Sequence, residues 1–378
     1  MRIAFIPAAR LLSDSKPNGE ALIAVDLLRA LAARGHDVVA YCERSEVSIE
    51  GVDIREIAAV GATTGLGRLG FARRIARDVA RERFDVLHLL FPFTTDDGYT
   101  LADGAPLVCG PINVAWPSSR RAGSLPARAA GAVTDVLEGR RHAQTLQRAA
   151  RLLVVGQSAR TRIAPSLRDK IVDIPFGVDV ERFTPSSLPE EPVVLFSSVL
   201  QQRKGVEVLV RALHLLTQRI PRARVVIAGP DPEGMRPSLE RLAGELCVAG
   251  RLEFVGPIDP RDTPALYERA RVFCQPSFGE PFGMTVIEAM ASGRPVVGTA
   301  AGGIPDAVVD GKGGYLIPAG DAPLLADGLA SAITNASRMG VFNRERAERR
   351  YALNLVAERI ELTYHAVTKN GERAHVAS

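Results

Sequence analysis

Short runs rich in β-branched residues alternate with longer stretches of helical periodicity along this chain, and that alternation restricts its fold more than any other feature. A strand, a crossover helix and a second parallel strand form the unit that such a pattern builds. In the first half, residues 1–6, 37–41, 84–90, 106–109 and 152–155 read as strands, and 21–33 as a helix closed by Arg34-Gly35. The order breaks at PFGVDVERFTPSSLPEEP (175–192), where Gly, Pro, Ser and Glu mark an interdomain connection. It then restarts, with strands at 193–197, 224–229, 252–256, 272–276 and 295–298 and helices at 205–217, 263–269, 284–291, 322–333 and 347–365. The expected fold is α/β: two Rossmann-like, doubly wound domains facing a central cleft, 1–177 and 178–349. A helix at 350–365 is expected to pack back on the first domain, followed by a flexible tail at 366–378.

A chain of 378 residues accommodates two such domains, each with its own core. At 46% hydrophobic and 24% charged residues it is far from the composition of a disordered chain. Cys42, Cys109, Cys247 and Cys274 are scattered singly, which argues against zinc, a redox couple or a disulfide framework and suits a reducing cytoplasm. No apolar run approaches the roughly 18 residues of a spanning helix, and Arg10 interrupts the opening run too early for a signal core. Neither export nor membrane spanning is expected.

The net charge of +4 is carried by the first half. Residues 120–170 hold eleven Lys or Arg against Asp135, Glu138 and Asp169. A solvated Arg-rich surface is the plainer account. The sharper one is attraction to an anionic partner: a lipid-linked or small-molecule acceptor, or peripheral contact with the anionic inner face of a membrane. One Trp and six Tyr supply no interleaving of basic and aromatic residues, so nucleic acid is not expected.

The chemistry concentrates in PSFGEPFGMTVIEAMASGRPVV (276–297). Glu280 and Glu288 stand eight apart across a glycine-bearing turn, one before a helix and one inside it, so their roles must differ. Phe282, Gly283, Met284 and Thr285 form the helix start, whose open N–H groups and positive dipole end suit a phosphate. A second phosphate candidate is the turn Gln202-Arg203-Lys204-Gly205, where Lys204 would bring a full charge.

Taken with FGVD (176–179), RKG (203–205), RLEFVG (251–256), Ala301-Gly302-Gly303-Ile304-Pro305 and DGKGGYLIP (310–318), this segment resembles the retaining GT-B glycosyltransferases of glycosyltransferase family 4. Asn18-Gly19-Glu20, RGHDV (34–38) and DVLH (85–88) extend the resemblance into the first half. It implies a glycosyltransferase of the hexosyltransferase class that uses a nucleotide-diphosphate sugar as co-substrate and no cofactor. Glu280 and Lys204 would be its catalytic pair. Glu288 would hold the ribose, and Gly283, Met284 and Thr285 the diphosphate with Lys204. Phe282, Gly19 and Arg203 would join the donor site, with Gly256 and Ile258 at the base. No Asp-x-Asp occurs in the chain, so a metal is not expected.

Three positions depart from the family pattern. Ser198 stands where an Arg often contacts the diphosphate, and Asn18-Gly19 replaces two successive glycines. The His often found after the 106–109 strand is missing, with Asn113 the nearest polar substitute. Asn18, His88 and Asn113 are thus the acceptor-side candidates, although a lone strand-end His such as His88 is more often structural. His36 reads as a surface turn residue, and Asp231 and Glu233 as a turn. An NAD-dependent enzyme would need a glycine fingerprint after the first strand, which AARLLSDSKPNGE lacks. A catalytically silent sugar-nucleotide or membrane-surface binding protein of the same fold is the alternative.

Overall fold

The computed structural model of the protein describes residues 1–7, 11–15, 19–57, 65–90, 104–112 and 140–376. Two compact units divide the chain: one is built from the segment ending at Gly177 together with the residues from Leu353 onward, the other from Val178–Ala352.

The first unit contains β1 (Arg2–Ile6), β2 (Leu11–Leu12), β3 (Asp37–Cys42), β4 (Arg44–Ser45), β5 (Val52–Glu56), β6 (Val86–Leu89), β7 (Leu107–Ile112), β8 (Arg151–Val154) and β9 (Ile171–Asp173). Seven of these form one sheet in the order β5-β3-β1-β6-β7-β8-β9, with β2 and β4 paired apart. Every pairing is parallel. Side chains alternate across each strand, so Ala4 and Ile6, Val39 and Tyr41, Leu87 and Leu89, and Leu152 and Val154 share one buried layer with Phe71 and Ile75 of the helix Gly65–Val79. Ile3 and Phe5 point the other way and are equally buried, as a parallel sheet covered on both faces requires.

The second unit contains β10 (Val193–Ser197), β11 (Arg224–Ala228), β12 (Leu252–Gly256), β13 (Val272–Gln275), β14 (Val296–Thr299) and β15 (Gly314–Ile317), in the order β12-β11-β10-β13-β14-β15, again all parallel. Val194, Phe196, Val225, Ile227, Val272 and Cys274 face the helices Val206–Arg219 and Ala322–Thr334 in a single core. Burying each aliphatic side chain contributes roughly 1.5–3 kcal/mol.

Several elements differ from the expectation. The helix read at 347–365 is two, Ala336–Arg350 and Leu353–Val376. They separate because the Tyr351 carbonyl leaves the helical ladder to accept from the Val178 N–H at 2.7 Å. The second helix continues to Val376 through the stretch assigned to a flexible tail: Ile360, Tyr364 and Val367, all buried, carry its apolar face beyond residue 365. It belongs to the first unit, where Arg34 Nε donates to Glu361 at 2.7 Å and Arg359 donates to the Asp173 carbonyl at 2.6 Å. His36 is not a surface residue, because this helix covers it and sets Glu361 Oε1 3.2 Å from its Nε2.

Part of the basic 120–170 stretch also has structural duties. Lys170 donates to the carbonyls of Gln147 and Ala149, and Arg160 pairs with Asp173 at 2.7 Å. Arg120, Arg121 and Arg128 lie outside the described residues. No helix among the described residues is long and apolar enough to cross a membrane.

Candidate functional site

The second unit's strand order decides where a ligand can sit. The chain lays down β10, β11 and β12 outward in one direction, then returns to place β13 on the other side of β10. Loops leaving neighbouring parallel strands at such a reversal diverge and open a crevice at their carboxyl ends. Lys204 is on the loop after β10 and Glu280 on the loop after β13.

These two loops are joined by backbone. The Phe278 N–H donates to the Arg203 carbonyl at 2.8 Å. Gly205 has φ 72° and passes so close to the other loop that a Cβ there would lie 2.0 Å from the Pro276 carbonyl oxygen, so the RKG turn requires glycine. With the backbones locked together, Lys204 Nζ reaches Glu280 Oε2 at 2.5 Å. Both side chains are almost wholly buried, 9% and 11% exposed, so the pair is a desolvated one. Gln275 Nε2 and Ser277 Oγ also approach Glu280 Oε2, at 3.3 and 3.5 Å.

On the opposite side, the Glu280 loop is held by the turn after β14. The Gly303 N–H donates to the Glu280 carbonyl at 2.7 Å, and a Cβ on Gly302 would lie 2.0 Å from that same oxygen. The helix Met284–Ala291 begins just after it, capped by Gly283 at φ 92°. A Cβ on Gly283 would lie 3.4 Å from the Glu280 Cγ, so Glu280 rests against the helix start. The N–H groups of Met284 and Thr285 precede any carbonyl they could bond within the helix and remain open donors among the described residues. A cation, a carboxylate and a helix tip thus adjoin one another. That arrangement can neutralise a diphosphate and orient a hydroxyl beside it.

Glu288 occupies the second turn of that helix. Its Oε2 accepts from the Tyr267 hydroxyl at 2.7 Å, and the same hydroxyl lies 3.2 Å from the Thr285 carbonyl. Burial and the adjacent Glu288 carboxylate push the Tyr267 pKa well above its ordinary value, so it acts as a neutral donor.

Other expected residues distribute as follows. Ser198 is at the end of β10, its N–H donating to the Ala228 carbonyl, and the Gly229 N–H after β11 donates to the Gly256 carbonyl at the end of β12. Ser198, Gly256 and half-buried Ile258 therefore follow the same strand-end edge as Lys204. Arg203 is part-buried; its Nε donates to Gln201 Oε1 at 3.0 Å and its Nη1 is buried without a hydrogen-bond partner among the described residues. Phe282, next to Gly283 at the helix start, is buried with its ring edge-on against Tyr351, 6.3 Å between centroids. Asp231 accepts from the N–H groups of Met235 and Arg236, capping a helix, and Glu233 accepts from the Gln202 N–H.

In the first unit, exposed Gly19 opens the helix Gly19–Ala33. His88, one of the acceptor-side candidates, takes the structural role that a lone strand-end His more often has: it is fully buried with Nδ1 bonded to the Tyr364 hydroxyl and Nε2 2.6 Å from the Gly110 carbonyl. Both ring nitrogens serve packing, and neither is offered to an acceptor. Asn18 and Asn113 lie outside the described residues. Among the described residues no group of three His, Cys, Asp or Glu is placed to hold a metal.

Sequence reasoning missed Tyr267, Gln275 and Ser277. The one available signal was Gln275, a polar residue closing the otherwise apolar run Val-Phe-Cys before the PS dipeptide.

Comparison with known proteins bears on the family and the fold. Residues 179–350 match the family model described as glycosyl transferases group 1, and residues 17–182 that of glycosyltransferase family 4. The D-inositol 3-phosphate glycosyltransferase of Corynebacterium diphtheriae is 30% identical, over 96% of this chain and 94% of that protein. This chain belongs to that glycosyltransferase family. A second relative of this glycosyltransferase, the phosphatidyl-myo-inositol mannosyltransferase of Mycobacterium tuberculosis strain H37Rv, is 32% identical over 60% of the chain and 62% of that protein. Sucrose-phosphate synthase from Thermosynechococcus elongatus shares its fold across the full length of both chains, with TM-score 0.77 at 22% identity. Anabaena HepE in complex with UDP does so over 97% of this chain and 100% of that one, with TM-score 0.72 at 19% identity. The fold is GT-B.

Proposed function

We propose that this glycosyltransferase takes a sugar from a nucleoside diphosphate sugar, retains its anomeric configuration, needs no divalent cation, and delivers it to a phosphate-bearing acceptor. The observation that carries the reading is the buried Lys204–Glu280 pair, set at the strand-order reversal and against the start of the helix Met284–Ala291. Cleavage of the anomeric bond leaves negative charge on the departing diphosphate. Lys204 and the open N–H groups of Met284 and Thr285 would meet that charge with fixed positive groups, in the place a metal ion takes elsewhere. Glu280 carries no such task. It would accept from a hydroxyl of the donor sugar and hold the ring, while Glu288, fixed by Tyr267, would accept from the ribose hydroxyls.

In this reading the leaving phosphate oxygen takes the acceptor's proton on the face that the new bond forms, so the configuration is kept. Support for the donor class comes from a neighbour of the same fold crystallised with UDP. The two relatives are named for inositol 3-phosphate and phosphatidyl-myo-inositol, both anionic, which accords with the basic excess of the first half. Peripheral contact with an anionic membrane face belongs to the same proposal.

The test is nucleoside diphosphate release from UDP-glucose and GDP-mannose, with inositol 3-phosphate or phosphatidylinositol vesicles as acceptors and EDTA throughout. Turnover with retained anomeric configuration by NMR is expected, and Lys204→Ala should lower kcat about 10²–10³-fold. An inverted product, or activity abolished by EDTA and restored by a divalent cation, would overturn it.

A further inference from the structure

Gln275 closes β13, whose other residues, Val272, Phe273 and Cys274, are apolar and buried. It is itself wholly inaccessible to solvent. A primary amide in such a place costs free energy unless its donor and acceptor groups are bonded, and a Leu or Met would fill the same volume without that demand. Its bonds all go to the site. Nε2 donates to Ser277 Oγ at 2.8 Å and reaches Glu280 Oε2 at 3.3 Å, while Oε1 accepts from Thr285 Oγ1 at 3.4 Å. Ser277 is fixed in turn, since its carbonyl accepts from Thr299 Oγ1 at the end of β14.

No other uncharged side chain of this length offers a donor and an acceptor on one planar group. Here the donor edge faces the carboxylate and the acceptor edge faces the hydroxyl of the helix's first turn. We infer that Gln275 is a positioning residue, which locks the Glu280 carboxylate to the helix tip so that the donor's sugar and diphosphate are held in one register. The inference rests on the reading of the site given under Proposed function. Without the amide, Glu280 Oε2 would keep only Lys204 and the long 3.5 Å approach of Ser277 Oγ. The amide adds a further direction of contact on Oε2 and ties that oxygen, through Thr285 Oγ1, to the helix tip.

Two variants of similar shape test it. Gln275→Met removes both polar edges and is expected to lower kcat for UDP-glucose or GDP-mannose about 10–100-fold, because a small displacement of a positioned group is costly to the chemical step. The affinity of UDP or GDP by calorimetry should stay within about threefold, since the diphosphate contacts are made by other groups. Gln275→Glu should be slow near pH 8, where an ionised carboxylate would repel Glu280. Its rate relative to wild type should climb toward about pH 5.5, because a carboxyl donates to Oε2 only when protonated. The proposal is overturned if either variant matches wild-type kcat, if kcat and product affinity fall together, or if the Gln275→Glu ratio is flat with pH. Wild-type protein that releases neither nucleoside diphosphate would overturn the reading of the site and this proposal with it. Wild-type turnover with unaltered variants would overturn this proposal alone.

Discussion

Replacing Glu280 by Ala leaves the Lys204 ammonium buried and unpaired, because that carboxylate is its only ion-pair partner among the described residues. Removing one member of a desolvated pair costs about 3–5 kcal/mol, whereas neutralising both members costs far less. Denaturant unfolding should therefore rank Glu280→Ala well below the double variant Lys204→Met with Glu280→Gln. Inorganic pyrophosphate should raise the Tm of Glu280→Ala more than that of wild type, since the anion would supply the missing counter-charge. Equal shifts would mean that Lys204 does not face a diphosphate seat. At Glu288 the corresponding change is Tyr267→Phe, which deletes a neutral donor to a carboxylate and should weaken UDP or GDP binding by about 10- to 150-fold, in line with a charged hydrogen bond of roughly 1.5–3 kcal/mol. An unaltered calorimetric affinity would remove Glu288 from the nucleotide contacts. Of these residues, Glu280 and Glu288 are legible in the sequence from their places before and inside one helix, whereas Lys204 sits in a turn that alone reads as solvated and is legible only in combination with the 276–297 segment. Tyr267 is not, since an aromatic in TPALYE reads as core and its hydroxyl partner lies on another helix, 21 residues away.

Among secondary-structure elements, glycines in the strand-end turns separate two physical demands. Gly302 and Gly256 both have positive φ, 63° and 79°. Only Gly302 is also crowded, by the Glu280 backbone, while nothing lies within 4 Å of a Cβ on Gly256. Gly256→Ala should cost about 1–2 kcal/mol from backbone conformation alone. Gly302→Ala should cost more than about 3 kcal/mol and displace Glu280, lowering turnover as well as stability. Comparable losses in urea titrations would contradict the crowding at Gly302. The strands buried on both faces, such as β1, β10 and β13, were readable as short apolar runs. The edge strands of the first unit's sheet were not: β5 carries Asp53, Arg55 and Glu56, and β9 is only three residues long, so neither shows the periodicity of a core strand. The break at Tyr351 was invisible because its cause is a backbone bond to Val178, over 170 positions earlier in the chain.

For the molecule as a whole, acid should act first on the first unit. Burial lowers the His88 pKa to about 4 from an ordinary 6.5, and burial also lowers that of His36. The folded chain therefore binds these protons less readily than the unfolded one. Their stabilisation is complete above pH 6.5 and is lost as pH falls from there toward about 4. Unfolding free energy followed by urea between about pH 7 and 5 should decline, and His88→Asn should flatten the decline. A slope unchanged by that substitution would assign the loss to other groups. The fold class and the division near residue 177 were readable from alternation and the linker's composition. The burial of His88 and His36 was not, because the helix that encloses them lies more than 260 residues further along the chain than either.

That separation orders events during synthesis. The chain leaves the first unit at Gly177 and re-enters it at Leu353. A ribosome must finish the whole intervening unit before Ile360 and Tyr364 exist to cover the sheet that the opening residues have long since formed. The earliest-made portion of this glycosyltransferase is accordingly the last to be sealed, and a nascent chain halted before residue 353 would expose an apolar surface that the finished enzyme never presents.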